Sequence, residues 1–508
     1  MKATAPGTMV MVALMGVTAA AMILPAALGF TLREHGSGRA FLYSASLLVA
    51  LAGLIYLAAR RVAGTPGPLS HPFYILSAAY LFVPLFMALP VTDATANGMP
   101  LFDAWFEMVA SFTTTGASAL DPDMPRSLLL WRAMVAWLGG LFVLVYAGAL
   151  LAPMNMGGFD IVTARAETRT ALPEWSRKMR STLVEPMNQA GSGGDPLARL
   201  LGYVRLVAPA YLGLTLLVWV LLSMLGTPPL VGLIYAMSTL STSGIAPDVP
   251  VGLAAELLIA LCLVLALTRR AWPGAIVPQD AGRPWRDDEL RVALVLLGVV
   301  TFGLWALNGA GGLAAGPMDA MAALWGVGFT ALSFLSTTGF VSSVGAPEAT
   351  VFAGPAGIVL LGLAMLGGGV ATTAGGLKLL RGFALLWQAK HEMEKLVHPS
   401  GMGGDGPRLR GLRSEGAFSA WLFLMVFILS LSVLVMALVL LGHPLEDALV
   451  YAAAALTTTG PLASIAGPEP LSFAALSDPA RAVMALGMIL GRLELLMLLS
   501  VLWPRLGR

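Results

Sequence analysis

The sequence predicts an all-α integral membrane protein in which one unit is written four times behind two extra transmembrane helices. Three observations carry this. The chain has 508 residues, 57% hydrophobic and 11% charged, with mean hydropathy +0.81; soluble domains carry roughly 25% charged residues, so the bulk of this surface meets lipid. Ten apolar runs approach the ~20 residues a spanning helix needs. Four shorter apolar segments each end in a hydroxyl–glycine phrase: TTTGA at 113–117, STSGI at 241–245, STTGF at 336–340 and TTTGP at 457–461.

The long runs lie near 8–30, 40–59, 73–91, 128–152, 206–225, 253–268, 290–308, 351–385, 417–442 and 481–503. The first is too long for a signal-peptide core and is read as a retained helix. The short segments are 101–113, 230–241, 321–336 and 446–457, each too short to span and each set between two long runs. The predicted organisation is therefore two extra N-terminal helices (1–65), a first repeat (66–160), a cytoplasmic linker (161–204), a second repeat (205–275), a third (276–390), a second linker (391–415) and a fourth repeat (416–508). The stretch GGGVATTAGG, 367–376, breaks the run 351–385, because each glycine weakens a helix by about 1 kcal/mol relative to alanine.

Charge sets the topology. The segments 153–205, 269–291 and 378–413 carry 7, 5 and 7 Lys+Arg, whereas the segments holding the four phrases carry only Arg126. Basic loops stay on the cytoplasmic side. The phrases then face outward and both termini lie in the cytoplasm. Net charge is +2, which does not suggest nucleic acid. The lone Cys262 cannot make an intrachain disulfide and reads as core packing. HEMEK (391–395) lacks the second histidine of a zinc motif, and GMGGDG (401–406) follows no strand, so it is read as a linker. No serine elbow, phosphate loop or Cys/His metal spacing is visible, so an enzyme or assembly factor is the weakest functional alternative.

Non-helical backbone at membrane depth must be buried in protein or line water. Four re-entrant half helices, each followed by an extended segment, satisfy this if they surround an axis. The fold class becomes four helix–pore helix–filter–helix repeats around a central pore. Carbonyl rings in such a filter replace the hydration shell of a cation, and the half-helix C-termini favour positive charge. The predicted ion-binding residues are Thr114, Thr115 and Gly116; Thr242, Ser243 and Gly244; Thr337, Thr338 and Gly339; and Thr458, Thr459 and Gly460.

SFTTTGAS (111–118), LLLWRAMVAWLGG (128–140), GGGVATTAGGLK (367–378) and LGRLELL (490–496) resemble motifs of the Trk/Ktr/HKT superfamily of potassium transporters, and within it the bacterial Trk-type potassium uptake membrane subunit. The resemblance covers nearly the whole chain. It implies potassium as the transported ion, bound at the filter residues, with no cofactor in this chain. It implies a homodimer with one pore per protomer and a separate cytoplasmic ring of nucleotide-binding regulatory subunits. It also implies an intramembrane gating loop formed by Gly367, Gly368, Gly369, Thr372, Thr373, Gly375 and Gly376. Arg492, in the middle of an apolar run, would project into the pore below the filter as a barrier to cations. Lys378 is expected to snorkel to the cytoplasmic surface. The main alternative is a sodium-permeable or ion-coupled secondary transporter.

One expectation comes from charge alone. Asp121, Asp123, Asp248, Glu348 and Glu469 follow the four filter glycines by 4 to 9 residues, and they would make an acidic outer mouth that concentrates cations.

Overall fold

The structure is a computed structural model that describes residues 6–61, 72–95, 98–120, 124–151, 196–247, 249, 251–268, 288–315, 317–344, 355–397, 417–467, 469–493 and 495. Among them the only regular structure is helical. Eight helices are long and apolar enough to cross a membrane, so the chain is a multi-span membrane protein of the expected class.

The N-terminal pair is α1 (Pro6–Ala21) continued by α2 (Ile23–Thr31), and α3 (His35–Arg61). Four long–short pairs follow. They are α4 (Pro72–Ala94) with α5 (Leu101–Phe112), α7 (Pro196–Met224) with α8 (Pro229–Ser241), α10 (Asp288–Ala315) with α11 (Pro317–Leu335), and α14 (Ala417–Leu440) with α15 (Leu445–Leu456). Each pair is completed by a following helix: α6 (Arg126–Tyr146), α9 (Leu253–Leu265), α12 (Pro355–Leu366) with α13 (Leu379–Val397), and α16 (Asp478–Arg492).

The short helices begin where expected because each starts at proline. Pro100, Pro228 and Pro444 precede α5, α8 and α15, and Pro317 opens α11. Proline's fixed φ suits a helix start, and its missing N–H costs nothing there. The long helices split by face. Val295, Val299 and Phe302 on α10, like Leu429, Val433 and Met436 on α14, are exposed, while Phe423, Phe427, Leu431, Leu434 and Leu438 turn inward. This helical period gives each span an apolar outer stripe for lipid and an inner one for packing. The short helices are different: α15 buries Ala448 and the whole run Val450–Leu456.

Three expectations are corrected and one is met. The segment 321–336 is not too short to span, since α11 has 19 residues and reaches back to Pro317. The run 253–268 gives a helix of only 13 residues, which tightens into turns at Ala266 and Leu267. The run 351–385 is, as expected, broken by the glycine-rich stretch into two helices. The run 481–503 is not one described helix: α16 stops at Arg492 because Leu493 is extended, at φ −74 and ψ 137. Most of the linkers 161–204 and 391–415, and Asp121, Asp123, Asp248 and Glu348, lie outside the described residues.

Candidate functional site

Each short helix ends in the same local structure. After α5 the amides of Thr114 and Thr115 donate to the carbonyls of Ser111 and Ala110; Thr242 and Ser243, Thr337 and Thr338, and Thr458 and Thr459 repeat the pattern on their own helices. These paired bonds are the Schellman closure, whose first residue past the helix cap must be left-handed. That position is normally glycine. Here it is threonine four times, at φ 54 for Thr114, 52 for Thr242, 57 for Thr337 and 55 for Thr458. A β-branched residue is a true outlier there, at a cost of about 1–2 kcal/mol. The four-fold recurrence of that strain points to a use for the hydroxyl.

The flanking hydroxyls form a second repeated device. Thr113 and Thr115 bond through their side chains at 2.8 Å, Ser241 donates to Ser243 at 3.1 Å, Ser336 and Thr338 meet at 3.0 Å, and Thr457 donates to Thr459 at 3.2 Å. These bonds brace each segment internally. Thr113, Ser241, Ser336 and Thr457 were not among the predicted site residues, although the quoted phrases contain all four.

The glycines tie the segments to one another. A β-carbon on Gly116 would collide with the Ser243 carbonyl oxygen of the second segment. One on Gly244 would collide with the Thr338 carbonyl of the third, one on Gly339 would fall 2.8 Å from Pro461 Cβ of the fourth, and one on Gly460 would lie 2.6 Å from the Thr115 carbonyl of the first. The four segments thus close on each other in the order first, second, third, fourth, first. Gly116, Gly244 and Gly339 are left-handed, with φ 72, 69 and 86. Every predicted filter residue takes part in this assembly.

The glycine-rich stretch lies under the threonine end. It leaves α12 at Gly367 (φ 71) and returns at Gly376 (φ 75), the two pressed so closely that a β-carbon on Gly376 would lie 2.8 Å from Gly367 Cα. Its tip meets the third and fourth segments and is linked to the other two. Thr373 Oγ1 donates to the Leu240 carbonyl at 3.2 Å, next to the second segment. The Gly375 amide donates to the Thr337 hydroxyl of the third at 2.7 Å, and a β-carbon on Gly375 would meet the Thr457 carbonyl of the fourth. The first is reached through Arg492.

Arg492 is not mid-helix but the last residue of α16, and it is buried. Its guanidinium donates to the Thr113 carbonyl at 2.6 Å, to the Thr373 carbonyl at 2.6 Å and to the Thr114 hydroxyl. Tyr146 donates to its backbone carbonyl at 2.7 Å. It is a three-way tie between the first segment and the glycine-rich stretch. Glu494, two residues on, lies outside the described residues.

Below the stretch is a cavity of about 60 Å³ bordered by Arg492, Lys378, Arg381 and Tyr146. Lys378 does not snorkel outward. Its ammonium folds back onto the Ala374 carbonyl, and Arg381 sits 3.8 Å from the centre of the Phe423 ring. Three cationic side chains therefore line one small cavity. From the same side Glu289 accepts the Val370 amide at 2.9 Å and holds the stretch.

Two buried carboxylates hold the chain beyond the glycines. Glu107 of α5 accepts from the amides of Ala119 and Leu120 and from Ser118, and Arg132 Nε lies 3.1 Å from it. Glu256 of α9 accepts from Ser342, from the Ser343 amide and hydroxyl, and from Trp325. Neither was singled out in the sequence. An acid inside an apolar helix, such as Glu256 in LAAELLIALCLVL, is the signal that could have found them.

Comparison with known proteins agrees with this architecture. The family model described as TrkH, cation transport protein, matches residues 290–502. The Trk system potassium uptake protein TrkI of Halomonas elongata is 27% identical over 490 residues, which cover 92% of this chain and 90% of that protein. TrkH of Salmonella typhimurium is 26% identical, with 96% of each chain covered. The crystal structure of the potassium transporter TrkH from Vibrio parahaemolyticus matches the fold with a TM-score of 0.75 at 23% identity over 99% of each chain. Residues 290–502 match the TrkH family model, and the resemblance to Trk-type potassium uptake proteins is borne out along nearly the whole chain.

Proposed function

We propose that this chain is a potassium uptake channel or transporter subunit of a bacterial inner membrane, a transport protein and not an enzyme. One observation carries the proposal above the rest. Four separate hydroxyl–glycine segments close into a ring in which Gly116, Gly244 and Gly460 abut the backbone of a neighbour and Gly339 abuts the Pro461 ring. A ring built from backbone presents carbonyl oxygens at a shared axis, the chemistry that replaces a cation's water shell. Potassium is the cargo, and this chain takes no cofactor. The membrane potential supplies about 2.3 kcal/mol per charge per 100 mV as driving force.

The glycine-rich stretch is the gate in this reading, since its tip is bonded to the threonine end of the ring. Gly367 and Gly376 form its neck; Gly368, Gly369 and Thr372 shape it, and Thr373 and Gly375 hold it to the filter. Arg492 ties gate to filter and puts a cation beside the path. Arg492→Ala removes three hydrogen bonds and is expected to raise K⁺ flux in liposomes without loss of the folded protein. The outer position of the glycines, the cytoplasmic termini, the homodimer and a separate nucleotide-binding regulatory ring belong to the same proposal. They rest on the basic loops and on the relatives, which are named as parts of a Trk system.

Flux of K⁺, Rb⁺ and Na⁺ in liposomes tests the assignment. Gly116→Ser, Gly244→Ser, Gly339→Ser and Gly460→Ser are each expected to lower the K⁺-over-Na⁺ ratio. Four variants with unchanged ratios would sink it.

A further inference from the structure

The contacts of Pro461 do not fit its place in the chain. The glycine contacts order the segments first, second, third, fourth, so the second and fourth face each other across the axis. Pro461 follows Gly460 and belongs to the fourth. Yet an ideal β-carbon on Gly244, in the second, lies 2.9 Å from Pro461 Cγ. One on Gly339, in the third, lies 2.8, 2.9 and 3.1 Å from its Cβ, Cγ and Cδ. A side chain of the fourth segment meets a glycine of the second only by spanning the axis. The pyrrolidine therefore lies across the glycine end of the ring, the end opposite the glycine-rich stretch.

Local structure holds it there. Pro461 fixes its own φ, pre-forming the single 3-10 turn Gly460–Ser464. The turn points the Gly460 amide at the Thr115 carbonyl, 2.7 Å away, and Ser464 Oγ donates to the Pro461 carbonyl at 2.8 Å. The Thr115 carbonyl thus already spends one of its two lone pairs on an amide of the fourth segment. On one side of the ring is a cavity of about 250 Å³, bordered by Gly244, Glu256, Gly339, Phe340 and Pro461 itself. A pyrrolidine fits easily in that space.

We propose that Pro461 caps the outer end of the conduction path, and that a cation passes when the Gly460–Ser464 turn swings toward this cavity and returns the Thr115 carbonyl to the ring. The proposal rests on the filter assignment above. It makes Pro461 a positioning residue that sets the rate of access, while the glycines set which ion passes.

The test uses the full chain in liposomes, with flux normalised to folded protein recovered by gel filtration. Pro461→Ala, which shortens the cap, is expected to pass K⁺ several-fold faster than the unaltered chain. Pro461→Leu, which enlarges it, is expected to pass K⁺ more slowly, and both should keep the K⁺-over-Na⁺ ratio. Misfolding cannot produce effects of opposite sign. Equal rates in all three proteins overturn the cap, as does a loss of flux in both variants. A changed ion ratio at an unchanged rate also overturns it, because Pro461 would then belong to the filter. Gly339→Ser in the same liposomes reports separately on the filter assignment. If its ratio stays put, that reading fails whatever Pro461 does.

Discussion

The first and fourth segments are both spelled Thr-Thr-Thr-Gly, and they do not have the same structure. Thr114 and Thr458 are alike, left-handed at φ 54 and 55. The glycines then diverge. Gly116 is left-handed at φ 72, while Gly460 opens a 3-10 turn. The next residue separates them: Ala117 lets the first segment run on, whereas Pro461 bends the fourth. Their support differs too. The first is held by the buried Glu107–Arg132 pair, with Arg132 also donating to the Ala117 carbonyl at 3.3 Å, and by Arg492. The fourth is held by its own turn and by the bond from Gly460 to Thr115. One segment is a braced anchor and the other leans on it, so identical letters do not make the two equivalent.

The largest effect should come from the anchor's ion pair. Glu107→Gln leaves the Arg132 guanidinium buried without a countercharge, and breaking such a pair costs about 3–5 kcal/mol. Glu256→Gln leaves no orphaned charge and should cost about 1–3 kcal/mol. Thermal unfolding in detergent compares them, and adding Arg132→Met to Glu107→Gln should restore part of the loss. If the Glu256 variant is the less stable, the anchor has been misplaced.

Glu107 also marks where sequence reading stops. The four short helices were legible to within a few residues at most ends, because a proline opens each and a hydroxyl–glycine phrase closes it. Which face of a long helix turns inward was not legible, because the lipid-facing and the packed residues are both apolar. What else was not legible depends on meetings between distant segments. Nothing near residue 107 announces Arg132, and nothing near Gly460 announces Thr115, 345 positions earlier. Arg492 looked like a charge in mid-helix because the run 481–503 is apolar on either side of the pair Arg492 and Glu494, and nothing in those letters announces the extended Leu493. The left-handed threonines were hidden for a different reason. Local preference assigns that conformation to glycine, so the strained choice cannot be read from propensity.

The hydroxyls of those threonines give the next contrast. Thr114 accepts from a buried guanidinium, whereas Thr458 Oγ1 is buried with no hydrogen-bond partner among the described residues. Glycine relieves the left-handed strain at both sites. At position 114 it also removes a charge-assisted bond worth about 1.5–3 kcal/mol. Thr114→Gly should therefore destabilise the protein, while Thr458→Gly should be close to neutral. Matched losses in the two melting curves would remove this distinction between the segments.

Alanine at the glycines tests their backbones directly. Both sites are crowded by the neighbouring segment, but only Gly116 adds a left-handed φ. Gly116→Ala should be the more destabilising by about 1–2 kcal/mol. A larger loss at Gly460 would show that its turn, and not the first segment, carries the tighter constraint.

The smallest expected effect concerns charge beyond the glycines. Asp121 and Asp123 follow the anchor by 5 and 7 residues, and Glu469 follows Gly460 by 9. Glu469 is exposed, so a nearby cation feels it through water, where salt shortens its reach to about 8 Å at physiological strength. Near the fourth segment Arg481 offsets part of the acidity, although Asp103 already takes it up at 2.6 Å. Two carboxylates close to the first segment should steer cations more than one placed further along. Asp121→Asn with Asp123→Asn should slow K⁺ uptake at millimolar ionic strength, Glu469→Gln less so, and neither should matter near 0.5 M, where the Debye length is only a few ångströms. An equal slowing at both salt levels would point to a structural role for these residues. No slowing at low salt would mean that the acidic mouth does not focus cations, and the comparison between the two segments would then end at their backbones.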